Sequence, residues 1–372
     1  MGENFKKLGF GLMRLPQKNG GNDLEQVNEM VDNFFKKGFT YFDTAYVYSG
    51  GQSEAAFKEC VSKRYSRDEY QIANKMPIGT NYINSKEDML ETLNVSLERC
   101  GVDFFDYYLL HAMNKEKEEK AMRLGAWDFA FEMKKQGKVK HVGFSFHDSA
   151  DVLDAILTAH PEAEFVQLQL NYYDWENADV QSRECHEIAL KHNKKIIVME
   201  PVKGGTLASL PTEAEELLKK HRPNDSSASW ALRYAASLEN VITVLSGMSN
   251  LEQLNDNISF MDNLEPITKE ENELLLQVVD AFNRKPIIPC TDCKYCVEDC
   301  PMGINIPEVF KVMNFHKKFG VDENAPTNTW AFQNRIGGEK PSACVSCGAC
   351  EAHCPQKIKI IDELETIANL YE

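Results

Sequence analysis

Eight of the eleven cysteines lie between residues 290 and 354, in two runs of identical spacing: Cys290-x2-Cys293-x2-Cys296-x3-Cys300-Pro301 and Cys344-x2-Cys347-x2-Cys350-x3-Cys354-Pro355. The placement splits the chain, because the other three, Cys60, Cys100 and Cys185, all precede residue 200. Disulfides would need an oxidising compartment and hence a secretion signal. The opening Met1-Gly2-Glu3-Asn4-Phe5 has no cationic segment followed by an apolar stretch, and no uncharged apolar run approaches the ~18 residues that span a bilayer. A cytoplasmic location is expected. Cys60, Cys100 and Cys185 each sit in a helical pattern and read as small buried hydrophobes.

Two-residue gaps let three sulfurs wrap one face of a cubane, and the proline after the last cysteine ends that turn and sends the chain away. The spacing resembles the bacterial ferredoxin run for [4Fe–4S] clusters, in which the fourth cysteine of each run ligates the other cluster. That resemblance assigns Cys290, Cys293, Cys296 and Cys354 to one cluster, and Cys344, Cys347, Cys350 and Cys300 to the second. Structural zinc is the ordinary alternative for a thiolate quartet. Zinc sites seldom need a third cysteine at the same short step and a trailing Cys-Pro, twice over.

Ahead of the cysteines, short β-rich runs alternate with amphipathic stretches. Strands are expected near Leu8–Met13, Phe39–Asp43, Tyr70–Lys75, Asp106–Leu110, His141–Ser145, Phe165–Gln169, Lys195–Glu200 and Val241–Leu245. Helices are expected to start at Asp23, Ser53, Ser85 and Ser149, with Gly38 and Gly101 closing two of them. One helix between each pair of strands rules out hairpins and suits parallel βαβ units. Eight such units match a (β/α)8 TIM barrel. An open dinucleotide-binding sheet would announce a Gly-x-Gly-x-x-Gly turn, which Gly9-Phe10-Gly11-Leu12 does not complete. The expected architecture is a barrel over residues 1–285 followed by a small, mainly α-helical, ferredoxin-like di-cluster domain over 286–372. Asp280 through Pro289 reads as the junction, with Pro286 and Pro289 stiffening the approach to Cys290.

In a barrel, the chemistry sits at the C-terminal ends of the strands. There the sequence puts Asp43, with Tyr48 in the following loop, then Lys75 and His111, at three successive strands. Singly, each has an ordinary reading: a helix cap, a loop aromatic, a surface charge, a structural histidine. Together they make a proton donor. An ammonium near a phenol favours its anionic form, so the tyrosine can pass a proton to a developing alkoxide. Asp43 would hold Lys75, and His111 would orient the substrate oxygen.

The segments Phe42-Asp43-Thr44-Ala45-x-x-Tyr48, Asn74-Lys75-Met76 and Leu110-His111 resemble the catalytic motifs of the aldo-keto reductase family, over residues ~5–285. The resemblance implies nicotinamide-dependent reduction of an aldehyde or ketone, with Tyr48 as proton donor. It also implies that Ser145 and Gln167 hold the nicotinamide carboxamide, that Lys203-Gly204-Gly205 and Gly247-Met248-Ser249 hold the pyrophosphate and adenosine, and that Gln253 and Asn257 lie on the adenine side. Four positions depart from the family's pattern. Phe146 replaces a polar residue, Met199 stands where an aromatic usually stacks on the nicotinamide, and Gly247 and Gln253 replace cations that often bind the 2′-phosphate. NADPH and NADH therefore both stay open. The role of Glu200, beside Met199, is unassigned. With its tail, the chain is similar to a bacterial and archaeal branch of these reductases that carries C-terminal [4Fe–4S] motifs.

Hydride transfer moves two electrons, whereas a cubane normally passes one. Three readings follow: a carbonyl reductase whose clusters are clamps or sensors; an electron-transfer enzyme in which a flavin or a radical-forming substrate splits the pair; and a nucleotide-binding or redox-sensing module without turnover. The net charge of −16 argues against nucleic acid and anionic membranes as partners. It would favour a basic surface on any ferredoxin-like electron carrier. Residues 301–343 form a long insertion, helical from Pro307 to Phe319, and its Trp330 or Phe332 could close the site as a lid or simply pack between domains. Tyr172, Tyr173 and Trp175, after the sixth strand, are further pocket candidates.

Overall fold

A computed structural model describes residues 6–79, 81–284, 287–319 and 336–372. These described residues form two compact units, one drawn from within 6–177, 181–201 and 229–267, the other from within 178–180, 202–228 and 268–372. Trp330 and Phe332, the lid candidates, and Pro286 lie outside the described residues.

The first unit holds a closed barrel of eight parallel strands: β1 (Leu8–Gly11), β2 (Tyr41–Asp43), β3 (Gln71–Met76), β4 (Phe105–Met113), β5 (Val139–Phe146), β6 (Phe165–Gln169), β7 (Lys195–Met199) and β8 (Val241–Ser246). Neighbours in sequence are neighbours in the sheet, and β8 closes on β1 through Leu8↔Val244 to Phe10↔Ser246. The interior is a packed plug of Tyr41, Ala73, Tyr107, Leu109, Phe165, Ile197 and Leu245. Strand side chains alternate faces, so a residue two positions beyond a plug residue also points inward. That parity sets the site. Asp43 follows Tyr41, Lys75 follows Ala73, His111 follows Leu109, Gln167 follows Phe165 and Met199 follows Ile197.

The helices begin largely where the sequence places them. The Asp23 carboxylate accepts from the Gln26 N–H, opening helix α1 (Leu24–Lys36), which buries Val27, Met30, Val31 and Phe34 along one stripe. Ser85 and Asp88 form a reciprocal capping box before Lys86–Cys100, which ends at Gly101 with φ 66°. Removing such a cap typically costs ~1 kcal/mol. Ser53 is different. The helix there runs Gln52–Phe57 and starts at Gly51, and Ser53 is buried inside it, bonded to Thr44 Oγ1 and to the Leu12 carbonyl. A short antiparallel pair, Gln17–Lys18 with Gly21–Asn22, also interrupts the expected β1-to-helix connection.

In the second unit, helices Thr212–His221 and Lys269–Asn283 are joined by the Arg222–Glu271 ion pair at 2.6 Å. The cysteine-rich segment repeats its backbone as well as its sequence. Tyr295–Glu298 and Ala349–Ala352 are short helices offset by 54 residues, as Cys290 and Cys344 are. The left-handed residues share that offset: Asp292 with Ser346, Lys294 with Gly348, and Gly303 with Lys357. Its core is Ile304, Ile306, Val309, Phe310, Met313, Ile358, Ile360, Leu364 and Ile367, with Cys296, Cys350 and Cys354. The two longer helices of this segment, Ile306–Phe319 and Ile360–Tyr371, supply most of those apolar residues.

Candidate active site and cluster sites

At the barrel mouth, Lys75 Nζ donates to Asp43 Oδ1 at 2.5 Å and to the Thr44 carbonyl at 2.7 Å. Both side chains are buried. Burial pushes the Asp43 carboxyl above the usual carboxylate range and draws Lys75 below the usual ammonium range, and the attraction between them opposes both shifts. Tyr48 opens a 3-10 turn after β2, and its ring centroid lies 4.7 Å from Lys75 Nζ. The His111 ring meets Tyr48 edge-on, with centroids 5.9 Å apart. Burial, and then the ammonium groups of Lys75 and Lys117, hold His111 well below the ordinary imidazole range. It is therefore a neutral hydrogen-bonding ring at neutral pH. A register shift in β4 follows it directly, with Ala112 at φ 54° and its N–H donating to Ser145 Oγ at 2.7 Å. Such bulges re-aim side chains beside active sites.

Behind Lys75 lies a layer that sequence reasoning missed. Asn74 accepts from the Lys75 N–H and donates to Glu54 Oε1 at 2.8 Å, and Glu54, fully buried, also meets Arg99 at 3.2 Å. A carboxylate on a short amphipathic helix reads as a solvated face, so nothing in the pattern singled it out.

Ser145 lies one residue before the end of β5, Gln167 in the middle of β6 and Met199 at the end of β7. The Gln167 amide donates toward Met199 Sδ at 3.6 Å, while its Oε1 is buried with no hydrogen-bond partner among the described residues. Buried polar atoms are nearly always paired. Ser145 Oγ accepts from Ala112, which leaves its own proton to donate. An acceptor and a donor side by side suit a primary carboxamide, so these residues fit the nicotinamide end of the cofactor.

Gly247, Met248 and Ser249 follow β8, where the Ser249 N–H donates to Gln253 Oε1 and the Ser249 hydroxyl to the Arg14 carbonyl, both at 2.8 Å. Asn257 is buried on Ser246 Oγ at 2.8 Å. Arg14, from the turn after β1, is a cation that the sequence reading passed over. A Cβ on Gly247 would lie 3.7 Å from its Nη1, and it faces Glu200 at 3.6 Å. Tyr172 and Trp175 pack edge-on against Tyr234, at 6.1 and 5.8 Å. Lys203, Gly204 and Gly205 belong to the second unit, in a turn Lys203–Ala208 with all three at positive φ.

Two cavities occupy the cysteine-rich segment. One is lined by Cys290, Cys293, Cys296 and Cys354, the other by Cys300, Cys344, Cys347 and Cys350. The fourth cysteine of each run thus joins the three of the other. Alternating left-handed residues in each run form the backbone concavities that suit anions, and the Asp292 N–H points at Cys290 Sγ at 3.5 Å. Four sulfurs round each cavity, with donors aimed at them, fit an iron–sulfur cubane. Cys60, Cys100 and Cys185 are buried, and burial raises Cys60 to about 11 and Cys185 to about 12. Among the described residues no helix is long and apolar enough to cross a membrane.

The aldo/keto reductase family model matches residues 7–280, and a 4Fe-4S dicluster domain matches 289–358. The uncharacterized oxidoreductase YqkF of Bacillus subtilis is 22% identical over 300 residues, covering 73% of this chain and 92% of that protein. Aldo-keto reductase AKR11C1 from Bacillus halodurans, in its holo form, shares the fold with a TM-score of 0.58 at 22% identity, over 73% of this chain and 91% of that one. An aldo-keto reductase from Klebsiella pneumoniae in complex with NADPH also scores 0.58, at 17% identity, over 75% and 91% of the two chains.

Proposed function

The chain belongs to the aldo/keto reductase family of oxidoreductases, and from that premise we propose that it reduces an aldehyde or ketone with NADPH at Asp43, Tyr48, Lys75 and His111. The supporting observation is the buried Lys75 ammonium, fixed by Asp43 and set 4.7 Å from the Tyr48 ring. When bound, the nicotinamide supplies hydride to the carbonyl carbon. Tyr48 gives its proton to the carbonyl oxygen, and Lys75 stabilises the phenolate that remains. His111, neutral, orients that oxygen by a hydrogen bond. Ser145 and Gln167 hold the carboxamide, with Met199 beside them. Lys203, Gly204, Gly205, Gly247, Met248, Ser249, Gln253 and Asn257 hold the remainder of the nucleotide. Arg14, beside Gly247, supplies a cation in place of those the family usually has there. This favours NADPH over NADH, as does the NADPH held by the Klebsiella relative.

Two [4Fe–4S] clusters complete the proposed enzyme, one on Cys290, Cys293, Cys296 and Cys354 and the other on Cys344, Cys347, Cys350 and Cys300. The lining of the two cavities supports this crossed pairing. We set the domain boundary between residues 285 and 286, in the gap between the two family matches. Eight thiolates suit the reducing cytoplasm.

Anaerobically purified protein is expected to oxidise NADPH in the presence of short aldehydes and ketones, with the cluster absorbance unchanged by NADPH alone. No turnover with any carbonyl would overturn the reductase reading. Bleaching of the cluster band by NADPH would instead support the electron-transfer reading, with a flavin and a one-electron carrier as its requirements. The crossed pairing has its own test. About eight irons per chain are expected. Cys300→Ser and Cys344→Ser should abolish the same paramagnetic signal, and Cys354→Ser the other. Loss of the same signal from Cys300→Ser and Cys290→Ser would overturn the pairing.

A further inference from the structure

The loop assigned above to the pyrophosphate is built on the wall of one cluster cavity. Lys203 is 1% exposed, and its ammonium donates to Gln356 Oε1 at 2.9 Å; Gln356, 6% exposed, lies two residues past Cys354. The next residue, Gly204, has φ 63° and sits so close to Thr291 that a Cβ there would fall 2.4 Å from the Thr291 carbonyl oxygen and 2.5 Å from its Cα. Thr291 follows Cys290 directly and is buried. Two consecutive loop residues therefore rest on two segments separated by more than sixty positions in sequence. Thr291 and Gln356 both line the cavity formed by Cys290, Cys293, Cys296 and Cys354.

We infer that occupancy of this cavity by its cluster sets the affinity of the enzyme for its nucleotide, with Gln356 as the positioning residue for Lys203. A cluster bonded to both Cys290 and Cys354 ties the two supporting segments together, and metal binding of this kind is coupled to local folding. With the cavity filled, Thr291 holds the Gly204 backbone and Gln356 holds the Lys203 ammonium in place. With it empty, the floor separates, Gly204 loses its contact, and the Lys203 ammonium loses a buried acceptor that it needs. The second cavity, lined by Cys300, Cys344, Cys347 and Cys350, includes neither Thr291 nor Gln356 in its wall. The coupling belongs to the first cluster. Linkage makes it reciprocal, so bound nucleotide must favour retention of that cluster by the same factor. The enzyme would then lose cofactor affinity when iron is lost, before any change at Tyr48.

The inference rests on the nucleotide role proposed for this loop, and the test separates the two. NADPH is titrated by nucleotide fluorescence into full-length protein: clustered wild type, chelator-stripped wild type checked for retained helicity, and clustered Gln356→Leu and Gln356→Glu checked by cluster absorbance. Stripping should weaken Kd at least tenfold, about 1.4 kcal/mol. Gln356→Leu, with its clusters present, should weaken Kd and raise the KM for NADPH by a similar factor while kcat at saturating nucleotide holds. Gln356→Glu keeps an acceptor oxygen and should stay within about twofold of wild type, an outcome that simple loss of packing would not give. Wild-type affinity in the stripped, folded protein overturns the inference, as does wild-type affinity in clustered Gln356→Leu. Absence of NADPH binding by clustered wild type would overturn the nucleotide reading itself.

Discussion

Tyr48→Phe is expected to lower kcat for carbonyl reduction by about 10²–10⁴ while leaving NADPH affinity and melting temperature near wild type. The substitution deletes one hydroxyl and keeps the ring, so the edge-on contact with His111 and the position over Lys75 survive. Tyr48 is half-buried in a turn rather than part of the plug, which limits the cost in stability. What is lost is the proton for the developing alkoxide. His111 cannot replace it, because burial and two nearby ammonium groups keep its ring neutral and a poor acid. The decisive measurements are single-turnover rates with bound NADPH, beside a nucleotide titration of the same protein. A loss of kcat accompanied by an equal loss of nucleotide affinity would mean that Tyr48 shapes the pocket rather than supplying the proton. Unchanged kcat would remove it from the chemistry.

Strand parity explains why the mouth residues could be read from sequence. Each sits two places beyond a buried plug residue, so alternation places Asp43, Lys75, His111, Gln167 and Met199 on the inward face once the strands are located. The cysteine runs were legible for a related reason: their spacing is the geometry of the cavities they line. Arg14 and Glu54 were not. Arg14 reaches Gly247 only because barrel closure sets β1 beside β8, and Glu54 looks on paper like any carboxylate on a short helix. The contacts of Lys203 with Gln356 and of Gly204 with Thr291 join segments with no common motif or period. Ser53 shows the opposite error. Its identity suggests a cap, but the turn enters the helix through Gly51, leaving the hydroxyl to bridge Thr44 and Leu12 inside.

The Asp43–Lys75 pair yields the second large effect, and its sign depends on what is left behind. Lys75→Met is expected to cost about 3–5 kcal/mol at neutral pH, because it strands a buried carboxylate whose second oxygen, Oδ2, already has no hydrogen-bond partner among the described residues. Burial raises the folded-state pKa of Asp43 above its unfolded value, and losing Lys75 raises it further. A group shifted in that direction stabilises the fold below its unfolded pKa and loses that contribution as pH rises through the folded one. The deficit of Lys75→Met should therefore shrink as pH falls below that raised value. Asp43→Leu combined with Lys75→Met leaves no buried charge and should unfold at a denaturant midpoint near wild type, since apolar replacement of a buried pair is commonly neutral or stabilising. Yet the double variant should be as inactive as Lys75→Met, with no ammonium beneath Tyr48. A double variant no more stable than Lys75→Met would show that the pair holds the fold. Stability regained without activity would show that the charges are kept for the reaction, at a cost the barrel does not otherwise need to bear.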